Sequence, residues 1–439
     1  MNKSIKFLFT TILLLSFTNN ANAQFWKKLK KKAEDAVINK TDKELNDVLN
    51  RKKKKKEETQ QNEEKTITEN ENPSTQTASE KKEKTNVASA ELYRNFKFIP
   101  GEKVIFYDDL KLEETGEFPS KWDLLKGGAE IAKLNKNKVI IPTTEEINVI
   151  NPLFDNQNYL GDEFTIEFDI YLDNLVDKYD EQDFGIYFYT DENEFDGVRS
   201  SLGGFSNADI EFSIDYKGLN GKVHKDLTKS YDKFPLEKIE KNNIDLNKWQ
   251  HISVSYYKKK LKVYFNNKRI ANLPNFKKAV NGLAIKLKKP VDYTDKNVSL
   301  GKNTLKTAVK NIRIAHGGGQ MYKRIVTDGK YVTNGILFDS GKASIQPKSM
   351  GVINKMVSIM NENPDWKFEI VGHTDADGDE ASNLKLSKER AESVKKAIIE
   401  QGINTERLNT TGKGESAPLN SNKNDIEKAN NRRVEFIKK

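Results

Sequence analysis

The stretch Val371-Gly372-His373-Thr374-Asp375, with Leu386-Ser387-Lys388-Glu389-Arg390-Ala391 one loop later, decides the fold of the C-terminal part of this chain. Phe368 to Val371 is an apolar run that reads as a strand, and Asp375 places a carboxylate just beyond it. A polar, glycine-containing loop leads into a helical pattern over about Ser382 to Gln401, stopped by Gly402. Leu384, Ala391, Val394 and Ile398 recur at helical intervals and are expected to face a sheet. Asn383, Ser387 and Arg390 stand at i, i+4 and i+7, a second line that can look back across the loop at Asp375. Free N–H groups at a helix start also favour a bound carboxylate. An acid and a guanidinium so placed suit a small zwitterion better than a reaction. The competing reading is an internal salt bridge between Asp375 and Arg390.

Working outward, Val332 to Phe338 reads as a strand, and Asp339-Ser340-Gly341 as a turn. Pro347 opens a helix to about Asn363, with Met350, Ile353, Met356, Val357 and Met360 at helical spacing. Further strands are expected near Leu408 to Thr411 and Arg433 to Ile437. The order βαβαββ predicts an α/β sandwich over residues 330–439, with helices on one face of a mixed sheet.

Upstream, over residues 92–316, the pattern is all-β. Phe164 to Leu172, Ile210 to Tyr216, His251 to Tyr256 and Leu261 to Phe265 alternate apolar and polar residues, and Lys258-Lys259-Lys260 reads as a hairpin turn. An antiparallel sandwich is expected. The runs are too short and too lysine-rich for an outer-membrane barrel. Glu167 and Asp169 share one face of a strand, as a glycosidase acid/base pair would; a solvated outer face is the simpler reading. Trp122 could stack on a sugar or sit in the core. Gly317-Gly318-Gly319 reads as a plain hinge, with residues 317–329 as the connection.

The N-terminal segment sets the compartment. Residues 1–23 have the form of a cleaved signal peptide: Lys3 and Lys6, an apolar core from Ile5 to Phe17, then Ala21-Asn22-Ala23. Residues 24–50 have helical periodicity and a lysine-crowded start. They fit either a basic amphipathic helix on anionic lipid or a solvated helix, and the narrow apolar side favours the second. Residues 51–91 are a charged, apolar-poor stretch expected to be a disordered spacer. The net charge of +9 is concentrated near the N-terminus, and export argues against nucleic acid as a partner. With no cysteine, the chain has no disulfide, thiolate metal site, cysteine nucleophile or lipidated N-terminal cysteine. His373 has no second histidine or cysteine near it in sequence, so a structural role is expected, with no metal and no cofactor.

Several ordered motifs now carry a resemblance. Phe338-Asp339-Ser340-Gly341-Lys342-Ala343, Gly372-His373-Thr374-Asp375 with Gly378, Asn383, Leu386-Ser387 and Arg390-Ala391 resemble the OmpA-like C-terminal domain, over about residues 325–439. Arg407-Leu408, Gly412-Lys413-Gly414-Glu415, Pro418 and Asn431-Arg432-Arg433-Val434-Glu435-Phe436 fit the same family. The resemblance implies reversible binding of peptidoglycan through the diaminopimelate of its stem peptide. It places the ligand ammonium on Asp375 and its carboxylate on Arg390, with Asn383, Ser387 and the amides around Thr374 as neutral partners. Of Arg432 and Arg433, one is expected to back the site and the other to be solvated, with Arg432 placed in the ligand-binding set below Asp375 and Arg390. The loop Asp377-Gly378-Asp379-Glu380 is acidic, which predicts a bias toward the ammonium end.

A weaker resemblance links Trp249 to Val254, Leu261 to Asn266, Phe164 to Leu172 and Val309 to Ile314 with concanavalin- and laminin-G-like jelly rolls. It implies a glycan as a further partner; docking of an outer-membrane protein by this domain is a separate possibility. The expected protein is therefore a non-enzymatic one, exported to the periplasm of a Gram-negative envelope and tethered to cell wall and outer membrane. The alternative is an envelope glycan-binding or glycan-degrading protein that the C-terminal domain only localises.

Overall fold

The computed structural model describes residues 96–144, 147–173, 181–190, 208–224, 233–278, 280–288 and 307–439. The signal peptide, amphipathic helix and spacer expected over residues 1–91 lie outside the described residues.

Alternating sequence makes strands with one apolar face, and two such sheets bury those faces against each other. The strands are β1 (Lys103–Asp108), β2 (Trp122–Lys126), β3 (Ala129–Leu134), β4 (Asn137–Pro142), β5 (Ile147–Pro152), β6 (Glu163–Leu172), β7 (Gln182–Tyr189) and β8 (Ile210–Asp215). They continue with β9 (Gly218–His224), β10 (Lys233–Pro235), β11 (Ile239–Glu240), β12 (Lys248–Tyr257), β13 (Lys260–Phe265), β14 (Lys268–Leu273), β15 (Gly282–Lys288) and β16 (Thr307–His316). One sheet runs β14-β13-β12-β6-β16-β4-β3, with β1 added to β16; the other runs β10-β9-β8-β7-β15-β5-β2, with β11 on β9. The pairings are antiparallel.

Between the sheets lies one apolar core, in which Phe184 stacks on Phe212 at 4.5 Å and Phe164 on Tyr256 at 4.9 Å. Trp122 belongs to it. Its ring is buried, and its indole N–H donates to Asp108 at 2.8 Å, so it offers no sugar platform. Lys258 and Lys259 have φ of 46° and 70° at the β12–β13 hairpin, the left-handed pair that a two-residue turn requires.

The C-terminal domain comprises α1 (Met321–Asp328), β17 (Lys330–Thr333), α2 (Met350–Glu362), β18 (Phe368–Gly372), α3 (Glu380–Ile399), β19 (Leu408–Gly412), α4 (Asp425–Asn431) and β20 (Val434–Lys438). Its sheet runs β17-β20-β18-β19, with β18 and β19 parallel and the other pairs antiparallel. The α/β architecture agrees with the sequence, but its element count does not. The first strand ends at Thr333, and Phe338 pairs only as an isolated bridge with Ile345. Helices α1 and α4 are additional. Both are short, 8 and 7 residues, too short for hydrophobic periodicity to announce them.

Leu384 is 51% exposed, against the expectation that it faces the sheet. The inward line at the start of α3 is taken by Asn383 and Ser387, both buried. There the sheet presses directly on helix backbone: a Cβ at Gly372 would lie 2.2 Å from the Ser387 carbonyl oxygen, and one at Gly412 2.6 Å from the Lys388 nitrogen. No room is left for a leucine at this level.

The outer face of the first sheet is not solvated throughout. Around β6 and β16 the C-terminal domain covers it, so Glu167 is buried and Asp169 half-buried rather than exposed. Arg313 of β16 donates to Glu167 at 2.7 Å, to the Gly101 carbonyl at 2.7 Å and to Asn334 just beyond β17. Lys348, from the turn that opens α2, reaches Asp169 at 4.0 Å. A bridging segment, Phe96 to Gly101, fills the seam. Phe96 and Phe98 pack on Tyr264, and a Cβ at Gly351 of α2 would lie 1.8 Å from the Phe98 carbonyl. The expected hinge is part of this seam too. Gly317 and Gly318 adopt φ of 93° and 97°, the Gly318 N–H donates to Glu102, and α1 follows within residues 317–329.

Candidate functional site

Asp375 leaves the end of β18 in a loop fixed at several points. The His373 N–H donates to the Arg433 carbonyl and the Thr374 N–H to the Gly414 carbonyl. The Thr374 amide is therefore committed within the fold, and its hydroxyl is buried without a hydrogen-bond partner. Asn383 donates its side-chain amide to the Asp377 carbonyl at 3.1 Å and to Glu415 at 2.6 Å. The Ser387 hydroxyl donates to the Leu384 carbonyl and accepts from the Gly414 N–H, both at 2.8 Å. Both side chains hold the loops around the site. Ser387 is wholly buried, so the expectation that it contacts a ligand gives way to a scaffolding role.

The charged groups that gather are Asp375, Arg390 and Arg432. Asp375 is 9% exposed and pairs with Arg432 Nη1. The internal salt bridge expected with Arg390 is not the one formed. Arg390 lies with its guanidinium 4.9 Å from the centre of the Phe338 ring, and its Nε donates to the Lys342 carbonyl at 3.0 Å. Among the described residues its two terminal nitrogens have no partner, and they form the fork that meets a carboxylate with two parallel bonds. Burial lowers the Arg390 pKa, with the Asp375 charge opposing that and Arg432 adding to it. The group remains a cation.

Arg433 is not solvated. It is buried between Glu435, at 2.7 Å, and the Ala417 carbonyl, at 3.0 Å. His373 is buried with its Nε2 3.3 Å from Glu435, and burial together with Arg433 pushes its pKa down to about 4. It is neutral at pH 7 and packs the strand end, as its isolation in the sequence suggested. The acidic loop is partly engaged within the fold. Asp377 pairs with Lys428 at 2.7 Å, and Asp379 caps α3 by accepting from the Ser382 N–H at 2.9 Å. Of the three acids, Asp377 is therefore the one whose charge is compensated by an ion pair.

One neighbour of the site was invisible in the sequence. Tyr107 of β1 lies beside Arg432, whose guanidinium is 5.8 Å from the ring centre. The two residues, far apart in the chain, meet there through the domain seam, and no local pattern signals it. The Glu167–Asp169 pair, by contrast, is engaged within the fold. His251 stands 2.7 Å from Asp169 and 3.6 Å from Glu167, closing them in an ionic cluster under the C-terminal domain. The carboxylates are matched to Arg313, His251 and Lys348 rather than aimed at a substrate. Among the described residues, no group of three or more histidine, aspartate or glutamate side chains could hold a metal ion, and no helix is long and apolar enough to cross a membrane.

A four-stranded α/β layer thus carries an acid and a guanidinium fork on one rim. Residues 337–432 match the model of the OmpA family, and the C-terminal domain is an OmpA-family domain. The chain is 36% identical over 103 residues to the probable lipoprotein YiaD of Escherichia coli K12, covering 24% of this chain and 47% of that protein. It is 37% identical over 100 residues to outer membrane porin F of Pseudomonas fluorescens, covering 23% and 31%. It is 34% identical over 107 residues to the peptidoglycan-binding protein ArfA of Mycobacterium tuberculosis H37Rv, covering 24% and 33%. The chain thus spans less than half the length of these curated relatives. Among solved structures, the peptidoglycan-associated lipoprotein of Burkholderia pseudomallei aligns at 24% identity over 24% of this chain and 88% of that one, with a TM-score of 0.23.

Proposed function

We propose that this protein binds peptidoglycan reversibly through its C-terminal domain and holds its β-sandwich at the cell wall. The carrying observation is that one rim brings together a buried carboxylate, held by Arg432, and the Arg390 guanidinium, whose terminal nitrogens are free. Asp375 takes the ammonium of a diaminopimelate side chain and Arg390 its carboxylate. Two opposite charges at a set separation discriminate against a plain amine such as lysine. Hydrogen bonds to charged groups contribute roughly 1.5–3 kcal/mol each, enough for a reversible tether without covalent attachment. The peptidoglycan-binding relative supports this reading, as does the export signal read in residues 1–23. The protein then resides in the periplasm, at the cell wall or outer membrane, with a binding role and no chemistry. The jelly-roll likeness of the sandwich makes a glycan its natural partner; an outer-membrane protein is the separate alternative.

The test is co-sedimentation of the full chain with purified sacculi, with free diaminopimelate as competitor. Wild type pellets and is released by diaminopimelate but not by lysine, and Arg390→Ala stays in the supernatant. Equal pelleting of that variant would falsify the assignment.

A further inference from the structure

Resting on the glycan partner of that reading, we infer that a cleft at the seam between sandwich and C-terminal domain binds an uncharged sugar unit. The cleft has a volume of about 510 Å3 and lies where the starts of β1 and β6 and Gly317 meet α1 and β17. Small-molecule pockets span roughly 300–1,000 Å3. Glu102, Lys103 and Glu163 line it from the sandwich, and Arg324, Asp328 and Lys330 from the C-terminal domain. Neither domain has the cleft without the other.

Glu102 is the anchor. Its side chain is only 11% exposed. Oε2 accepts from the Gly318 N–H at 3.0 Å, whereas Oε1 is buried without a hydrogen-bond partner. Arg324 Nε stands 3.8 Å from Oε1, too far for a hydrogen bond. The Tyr331 hydroxyl is near enough to bias the carboxylate but lies outside hydrogen-bond geometry. Burial raises the Glu102 pKa, and Arg324 and the Gly318 N–H offset that only in part. A hydroxyl that reaches Oε1 therefore gains a charge-assisted bond at little further desolvation. Gly317 leaves the space that Glu102 fills: a Cβ there would overlap Oε2.

The mixture of charges sets the ligand class. Three carboxylates and three cations line the cleft. The loose pairs at its margin, Lys258 with Glu163 at 3.9 Å and Lys330 with Glu435 at 3.7 Å, add one charge of each sign. A ligand ammonium on Oε1 would sit beside Arg324, and a ligand carboxylate would meet Glu102, Glu163 and Asp328. An uncharged ligand avoids both repulsions, and a sugar ring supplies hydroxyls that donate to acids and accept from bases. The acids have capacity for them. Glu163 accepts from the Gln320 amide at 2.7 Å on each oxygen, and Asp328 from the Thr327 hydroxyl at 2.7 Å. Among the described residues the terminal nitrogens of Arg324 have no partner. Val332 adds an apolar wall for the C–H face of the ring.

The experiment is a ligand-observed NMR titration of the full chain with two neutral disaccharides, N,N′-diacetylchitobiose and cellobiose. Wild type is expected to bind at least one of them. Glu102→Gln and Arg324→Gln each weaken that binding about tenfold, the order of one charge-assisted contact. Thermal unfolding checks that both variants are folded, and Arg324, whose side chain is half exposed, keeps the test open if Glu102→Gln is not. Preference for diacetylchitobiose marks an acetamido glycan of the kind found in the wall, and equal binding marks a glycan from another source. No binding of either sugar by wild type overturns the inference, and so does unchanged affinity in the folded variants. Arg390→Ala is expected to keep its disaccharide affinity; loss of it would move the sugar to the opposite rim and overturn the inference as well. Wild type that binds a disaccharide but does not pellet with sacculi overturns the peptidoglycan reading alone.

Discussion

Asn430 of α4 grips the backbone of Val104 in β1 at two points: its side-chain oxygen accepts from the Val104 N–H and its amide donates to the Val104 carbonyl, both at 2.9 Å. The partners are 326 residues apart in sequence and belong to different domains. With the Lys121–Asp425 pair at 2.8 Å, this clamp sets the edge of the sandwich beside the binding rim.

Asn430→Ala removes both bonds and leaves two backbone groups without their partner in a half-buried seam. The expected loss is about 1–3 kcal/mol of stability. Urea unfolding of the full chain measures it, and a midpoint equal to wild type counts against the clamp.

His251 gives the seam a pH dependence. Burial and Lys348 depress its pKa, but hydrogen bonds to Asp169 and Glu167 outweigh them, and the net shift is upward. A histidine raised on folding adds stability that is fully present below its ordinary value of about 6.5 and is lost as pH rises through the raised one. His251→Gln should therefore destabilise most at pH 6, with the gap to wild type narrowing as pH climbs. Thermal melting across pH 6–9 reads this, and a gap that widens with pH would contradict it.

His373 has the opposite sign. Its pKa is pushed down from about 6.5 to about 4, so its contribution is present above 6.5 and is lost as pH falls toward 4. Replacing His373 with Gln should flatten the acid limb of the stability curve over that interval. An acid limb as steep as wild type's would rule out His373 as its source.

Ser387→Ala separates scaffold from ligand contact. It strips the Gly414 N–H of its buried acceptor and should cost about 1–3 kcal/mol. Sacculus binding per folded molecule is expected to stay within about twofold of wild type, since Ser387 is wholly buried. A tenfold loss of binding in fully folded protein would return Ser387 to the ligand-contacting set.

Much of the C-terminal domain could be read from the chain. Helix α3, strands β18, β19 and β20, and the convergence of Asp375 with Arg390 follow from local periodicity and from glycines that admit close packing. What failed had a non-local cause. Glu167 and Asp169 occupy outer-face positions of an alternating strand, and nothing nearby in sequence shows that another domain covers them. Asp375 pairs with Arg432 instead of Arg390 because the loop after α4 returns to the strand end. Leu384 points outward because the sheet meets helix backbone at Ser387.

By itself, the sequence determined which segments form strands and helices, and it put an acid and a guanidinium within reach of one another across a short loop. Those properties depend on side-chain period and chain stiffness over a few residues. Only the tertiary structure decided which charges are matched, which face of the sandwich is buried and that Tyr107 stands beside Arg432. Those outcomes depend on contacts between segments hundreds of residues apart, where the burial of one domain against another selects the ion pairs that survive desolvation.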